Sequence, residues 1–589
     1  MTRRAPGWLA LAGAALVALP ATAAAQGAPP TTSTTVVTGD AQAAYGKLRL
    51  GPGWKRVVRD DLAAAQRGRS VRRRSLLYAV QLSDFQLADE ESPVRVETLD
   101  LQSTPFTSAW RPQEALTPHT VDQVVRTVNR LRTSPIRTQR RSTRKGRRRT
   151  LSAPLAMVLT TGDSTDNQQT NEVEWVVRLL EGGRLHPNSG AESTTPCAAG
   201  PVPAGEAARY TGVQDRDDVP ESAGFYDPDA PAGAFAAFPR YPGLMDRAQQ
   251  PFDTPGLAVP SYVAFGNHDG VVQGNVAANA LYDALVQGCV KPLNFQPPLL
   301  STFLATEPGR AVAVPPDRAR AFASRPRYME LHRTGRQADA HGFGHVDPAE
   351  AKASNGWATY YAFSPRPGLR FISINTVGEG SNLPGSEGNL DDPQFRWLAR
   401  ELRRADERGE LAVVFGHHPI RSLLNRDPDE DARPCADPTS GPGCDGDPRS
   451  SRPIRLGPDL QRLLLEHRSA IAYVAGHTHE HRITPFKREG GGGFWGIETA
   501  SEIDWPIQSR LLEVFDNRDG TLSLFGTVID HAGPVQPPAP GSDASAFGVP
   551  ELAAIARELS FNDPQVGAPG GEGRPQDRNV ELLLDDPRR

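Results

Sequence analysis

The chain is poor in cysteine: among 589 residues only Cys197, Cys289, Cys435 and Cys444 occur, and no Cys-x-x-Cys pair is present. That spacing excludes a zinc ribbon. An even number of cysteines in an exported chain points to disulfides, with three pairings open. Cys435 and Cys444 bracket the turn-rich "ADPTSGPG", which favours that pair. An excess of one charge sign is also missing. With 65 Lys and Arg against 69 Asp and Glu, the net charge is −4, which argues for neither a nucleic-acid binder nor a membrane-surface protein. Beyond residue 25 no apolar run is long enough to cross a bilayer. The start, "MTRRAPGWLALAGAALVALPATAAAQ", has two arginines, an apolar stretch from Trp8 to Leu19 and an A-x-A site near Ala23 or Ala25. It reads as a secretory signal peptide over 1–25, and the Arg3-Arg4 pair also matches twin-arginine export. The expected location is therefore outside the cytoplasm, secreted or in the cell envelope.

Glycine (55) and proline (54) are plentiful, so long loops are expected. A Pro/Thr/Ala-rich linker or extension covers 26–75. From residue 76, continuous apolar runs alternate with amphipathic stretches. The runs are "LLYAVQLSD" (76–84), "LAMVLTTGD" (155–163), "SYVAFGNHD" (261–269), "LAVVFGHHP" (411–419) and "IAYVAGHTH" (471–479). Strands of this kind are buried on both faces and belong to a layered α/β fold. Helices are expected at 120–132 and 391–409, further strands at 370–376 and 493–500, and a hairpin over 510–529 turning at Asp519-Gly520. Segments 185–258 and 296–350, rich in Pro, Gly, Ala and Asp, read as surface insertions in a domain spanning 76–535, with 536–589 as a C-terminal extension. The basic run "RTQRRSTRKGRRRT" (137–150) reads as a solvated loop, with an anionic partner as the sharper alternative. No aromatic residue interrupts it, which counts against stacking on bases.

The five apolar runs end alike: Ser83-Asp84, Gly162-Asp163, Gly266-Asn267-His268-Asp269, Gly416-His417-His418 and Gly476-His477-Thr478-His479. In four of them a glycine precedes a ligand-type residue, and positive φ there would let the chain turn off the sheet. In α/β sheets the crevice beyond the carboxyl ends of the strands is where sites form. Residues i and i+2 of an extended segment face the same way, so His477 and His479 would reach two points of one site. One Asp or His after a strand is ordinarily a cap. Two carboxylates, an amide oxygen and three neutral imidazoles at successive strand ends suit a pair of divalent metals.

These motifs resemble the calcineurin-like metallophosphoesterases: Asp84-Phe85-Gln86, Gly162-Asp163-Ser164-Thr165-Asp166-Asn167, Gly266-Asn267-His268-Asp269, Gly416-His417-His418-Pro419 and Gly476-His477-Thr478-His479 follow that family's order. The whole chain, with its tail "SEIDWPIQSRLLEV", is similar to an exported actinobacterial-type branch. The resemblance implies a four-layer αββα sandwich with long loop insertions, and a hydrolase that attacks a phosphomonoester or phosphodiester with a water activated by two metals. It implies that Asp163 bridges the metals, that Asp84, Gln86 and His479 complete the first site, and that Asn267, His417 and His477 complete the second. His268, held by Asp269, would act as general acid or steady the leaving oxygen. Two divalent ions, two carboxylates and one hydroxide leave a charge of about +1, which favours an anionic phosphoester.

One residue departs from the family's pattern. Gln86 stands where it usually carries a histidine, and an amide oxygen is harder and donates more weakly, so Mn or Fe is favoured, with Zn and Mg also compatible. His418 and Asp166 have no firm role from the motifs, and His481 is as readily exposed as functional. Arg421 and Arg370 are the candidate phosphate grips. Two other readings stay open: a non-catalytic metal-binding or surface-interaction protein on the same fold, and a GDS-type serine esterase with Ser164 as nucleophile. The second lacks a late Asp-x-x-His and leaves His417, His477 and His479 idle. The fold does not choose a substrate.

Overall fold

Two mixed sheets lie face to face, the first with parallel strands along one edge and the second with parallel strands at its centre. The structure, a computed structural model, describes residues 31–102, 108–141, 148–191, 210–215, 224–278, 280–292, 311–378, 386–429 and 446–589, of which the side chains of 139–141, 148–150, 280 and 281 are left aside. In order across the first sheet run Ser261–Val263, Met157–Thr160, Arg74–Leu82, Gln508–Asp516, Thr521–Asp530, Val580–Asp585 and Val57–Arg59. Its first three strands are mutually parallel. The second runs Tyr361–Phe363, Leu369–Ser373, Leu411–Phe415, Ala470–Ala475, Gly493–Glu498 and Arg482–Lys487, parallel except at its two edges.

Alternation along the strands builds the layers. Leu77 and Ala79 of the first sheet meet Val413, Ala472 and Val474 of the second in one dry core. On the outer face of the first sheet lies the helix Thr117–Arg130, whose Val121, Val124, Val125 and Val128 form a buried stripe at i, i+3, i+4 and i+7. On the outer face of the second, helices Asp392–Arg408 and Gly457–Glu466 cover Ile372, Val414 and Tyr473. Asp391 starts the first of these by accepting from the Gln394 amide at 2.6 Å, and Gly409, at φ 61°, ends it. The result is the expected αββα sandwich. Gln81 ties the two sheets beneath the site end: its Nε2 donates to the Ala475 carbonyl at 2.8 Å, and its Oε1 accepts from Thr499 Oγ1 at 2.6 Å.

The expected strands and helices form within a few residues of their places. The hairpin pairs Gln508–Asp516 with Thr521–Asp530, and Gly520 has φ 93° in its turn. The expected limits at 76 and 535 do not coincide with the edges of the sheet. Val580–Asp585 and Val57–Arg59, from the two flanking segments, complete it. Nor are the two insertions merely surface loops. Tyr226, Phe235, Tyr241 and Leu244 pack with Leu552, Ile555 and Leu559 of the C-terminal helix Val549–Phe561, and Tyr328 and Leu331 join the main core. The basic run pairs as a hairpin, Thr138–Arg141 with Arg148–Leu151. No helix among the described residues is long and apolar enough to cross a membrane. The expected signal segment and the Cys435–Cys444 pair lie outside the described residues. Cys289, which lies within them, is not a free thiol.

Candidate metal centre

At the carboxyl ends of the parallel strands, both sheets deliver polar residues to one cleft of about 460 Å³. Asp84 and Gln86 follow the strand Arg74–Leu82, Asp163 follows Met157–Thr160, and Asn267 and His268 follow Ser261–Val263. His417 follows Leu411–Phe415, and His477 and His479 follow Ala470–Ala475. The turn off the sheet is made differently from the sequence expectation. Among the motif glycines Gly162 has positive φ (92°), whereas Gly266 is extended at −112°. The left-handed conformation falls on the ligand-type residues themselves: Asp84 (55°), Gln86 (44°), Asp163 (53°), His477 (70°) and His479 (52°). Each costs about 1–2 kcal/mol, a cost tolerated where surrounding contacts over-determine the backbone. The glycines instead permit close approach. A Cβ on Gly476 would lie 1.9 Å from Ser83 Oγ, and one on Gly266 would lie 2.2 Å from the Asp163 amide nitrogen.

Donor atoms converge without complementary protons. His417 turns Nδ1 to the Thr161 carbonyl at 2.9 Å, so that nitrogen carries the donated proton and Nε2 faces the cleft. That Nε2 is 3.1 Å from Asp163 Oδ2 and 3.2 Å from His477 Nδ1. His479 Nε2 lies 3.4 Å from Asp84 Oδ1, and both Asp84 oxygens accept from the His477 amide at 3.1 Å. Asn267 donates Nδ2 to the Gly274 carbonyl at 3.0 Å, which leaves its buried Oδ1 without a partner. Gln86 Oε1 is likewise buried and unpartnered, while its Nε2 sits 3.4 Å from His479 Nε2. Rotating that amide by half a turn would aim the oxygen at the same point.

Ligand atoms of Asp84, Asp163 and His417, and of His417, His418 and His477, each lie within 4.8 Å of one another. Buried oxygen and imidazole donors without protons to share are the set that divalent cations bind. The electrostatics agree. Burial opposes ionisation of Asp163, but His417 and His268 hold it well below the usual carboxylate range. Burial likewise opposes protonation of His417 and His479. Asp163 nevertheless pushes His417 up to about 9, and Asp504 with Asp84 pushes His479 up to about 10. The carboxylates demand positive charge.

Two side chains around this set, Asp269 and His481, take places that differ from expectation, and His418 supports the set from outside. The expectation that Asp269 holds the His268 ring is corrected by the geometry. Asp269 instead accepts from the amides of Ser164, Thr165 and Gly266 and from Thr165 Oγ1 at 3.0–3.1 Å, locking two site loops together. The ring is held by Asp166, whose backbone oxygen and Oδ1 lie 3.1 and 3.2 Å from His268 Nδ1, and Arg95 Nε anchors Asp166 at 3.0 Å. His268 Nε2 lies 4.0 Å from Asp163 Oδ2. His481 is neither exposed nor in the cleft: Nδ1 accepts from the Ala500 amide and Nε2 meets Gln508 Oε1, both at 3.2 Å. The extended i, i+2 geometry expected for His477 and His479 is not what brings them to the cleft, because the segment leaves the sheet in bends with both residues at positive φ. His418 spends Nδ1 on Thr376 Oγ1 at 2.8 Å and Nε2 on the Ser386 carbonyl at 3.0 Å, which makes it a support for the His417 loop.

The candidate phosphate grips are already committed. Arg370 pairs with Glu401, and Arg421 pairs with Glu480 and Glu498 at 2.7 and 2.9 Å. Ser164 makes no contact with an imidazole among the described residues, so the serine-esterase reading finds no base. Two residues that the motifs did not single out enter the cleft, Arg111 and Asp504. Asp504 stands inside "SEIDWP", four residues before the strand Gln508–Asp516, and Arg111 carries no sequence signal.

No protein-family model matches the chain. A stretch of 79 residues is 40% identical to a sphingomyelin phosphodiesterase of Bos taurus and 39% identical to the Homo sapiens protein of that name, each match covering 12% of this chain and 12% of the relative. A stretch of 77 residues is 34% identical to sphingomyelin phosphodiesterase 2 of Caenorhabditis elegans, over 13% of this chain and 12% of that protein. The similarity thus spans about an eighth of these relatives. Among solved structures, the crystal structure of a dimetal phosphatase from Danio rerio is similar at a TM-score of 0.32 and 13% identity, over 78% of this chain and all of that one.

Proposed function

We propose that this chain is a metal-dependent phosphoester hydrolase of the calcineurin-like type, acting on a phosphodiester. The observation that carries the reading is the convergence of Asp84, Asp163, Asn267, His417, His477 and His479 from five strand ends on one cleft, with buried donor atoms left unpartnered. Asp84, Gln86, Asp163 and His479 would hold one divalent cation, and Asp163, Asn267, His417 and His477 the other. The cations, when bound, supply Lewis acidity toward phosphoryl oxygens and toward water. The protein's own part is to fix that geometry and to move one proton. His268 keeps Nδ1 against Asp166 and turns Nε2 toward the cleft, where its proton can pass to the departing oxygen. Burial opposes its protonation, but Asp163 and Asp166 outweigh burial and raise its pKa above the ordinary value.

The diester assignment rests on charge. Arg111 is the one Arg or Lys among the described cleft walls, and its Nε and Nη2 are taken by Asp504 at 2.6 and 3.1 Å and its Nη1 by the Ser108 carbonyl at 3.2 Å. A monoester brings a second negative charge that no uncommitted Arg or Lys there would meet, whereas a diester brings one. The partial matches to proteins named phosphodiesterase point the same way. With residues 26–589 loaded with Mn, a chromogenic diester should be turned over faster than the matching monoester, and Asn267→Ala should lose both activities. Faster turnover of the monoester would overturn the diester assignment. Activity retained in Asn267→Ala would overturn the two-metal site.

Gln86 offers a separate prediction. Gln86→His places an imidazole where an amide now stands, so affinity for Zn should rise at one site while the other changes little. Calorimetric titration resolving the two sites checks this. If neither site responds, Gln86 is not a ligand.

A further inference from the structure

Asp504 stands apart from the residues that face the metal positions, yet its carboxylate reaches one of them from behind. Its Oδ2 lies 2.5 Å from His479 Nδ1, on the ring edge opposite the Nε2 that faces Asp84 and Gln86. Arg111 grips the same carboxylate from its far side, Nε to Oδ1 at 2.6 Å and Nη2 to Oδ2 at 3.1 Å, and Gln113 adds a weaker contact at 3.5 Å. Arg111, Asp504 and Gln113 are all buried. The backbone of His479 is braced independently. Its carbonyl lies so close to Gly571 that a Cβ there would come within 1.8 Å, and the Gly571 carbonyl accepts from the His481 amide at 2.8 Å. Gly571 belongs to the C-terminal segment that forms one wall of the cleft.

We propose that the Arg111–Asp504 pair and the Gly571 segment are positioning devices for His479, and that they set the affinity of the first metal site independently of the second. The inference rests on the two-metal reading of the cleft. An imidazole offers a metal one nitrogen only when its other nitrogen carries the proton. A carboxylate at Nδ1 fixes that tautomer and the ring plane, and it makes Nε2 a stronger donor. Arg111 holds the carboxylate in a single bidentate orientation, so the ring cannot follow a rotating acceptor. Among the described residues no comparable carboxylate orients His417 of the second site, whose Nδ1 meets the Thr161 carbonyl, a neutral acceptor.

The test is Mn titration of the full chain by calorimetry, together with electron paramagnetic resonance of the coupled ion pair. Wild-type protein should bind two Mn. Asp504→Ala should weaken one site by about 10- to 100-fold and leave the other unchanged. Because Asp504→Ala strands the Arg111 charge, the double variant Arg111→Gln with Asp504→Asn removes both charges together and should show the same one-sided loss. Gly571→Ala should weaken the same site without touching the Arg111–Asp504 pair. Affinities at both sites unchanged from wild type in the double variant would overturn the proposal, as would equal weakening of both. Wild-type protein that binds no Mn would instead overturn the two-metal reading itself.

Discussion

Asp163→Asn is expected to lower kcat/KM toward a phosphodiester by about 10⁴-fold, a loss of roughly 5–6 kcal/mol of transition-state stabilisation. Asp163 is the residue that reaches both sets of donor atoms. Asp163 Oδ1 accepts from the His268 amide at 2.9 Å, and Oδ2 lies 3.1 Å from His417 Nε2 and 3.5 Å from Gln86 Nε2. One carboxylate therefore reaches both donor groups and the loop that carries His268. Asparagine keeps the size but replaces an anionic oxygen with a donor, so one group loses its shared ligand and the cleft loses the charge that draws cations in. Metal analysis should show fewer than two Mn per chain. Stripping the wild-type protein with a chelator should abolish turnover, and added Mn should restore it. Turnover of Asp163→Asn within tenfold of wild type would refute the assignment.

How much of this was legible in the sequence follows the physics of each element. The five strand ends were visible because a strand buried on both faces must be a continuous apolar run, and its ligand-type residues follow at once in the chain. Those runs and the amphipathic helices between them indicate a layered α/β fold, and the αββα arrangement is what the family resemblance implies. The region around His479 was only half visible. His477 and His479 were read from their spacing, but Asp504 and Arg111 are 393 residues apart, and their pairing has no local pattern. Asp166 stood in view inside "GDSTDN", yet nothing local separates it from Asp269 as the partner of His268. That choice depends on where two loops cross. The aromatic residues at 225–241 find the C-terminal helix without any period, so a Pro/Gly-rich segment reads as an insertion although it builds a core. The strand at Val580–Asp585 was not read from the sequence, which left 536–589 as an extension, although it pairs with Thr521–Asp530 in the seven-stranded sheet.

His268→Ala should reduce kcat by about 10²–10⁴-fold for a diester with an alkyl leaving group, and by much less for one with a nitrophenyl leaving group. A departing alkoxide needs the proton that His268 Nε2 supplies, whereas a nitrophenolate leaves without it. Mn binding should persist, because the His268 ring makes its described contacts with Asp166 and its Nε2 stays 4.0 Å from Asp163. Asp166→Asn should give a smaller loss with the same dependence on leaving group. It weakens the acceptor that orients the ring, while Arg95 keeps Glu90, Glu97 and Glu114 as partners and is not stranded in the core. Asp269→Asn should behave differently. Asp269 accepts from three amides and a hydroxyl across two loops, so an amide in its place disturbs the scaffold. The melting temperature should fall, and turnover should fall by a similar factor for both leaving groups. If Asp269→Asn shows the leaving-group dependence and Asp166→Asn does not, the proton relay runs through Asp269. If neither variant nor His268→Ala shows it, the departing oxygen is not protonated from this side of the cleft.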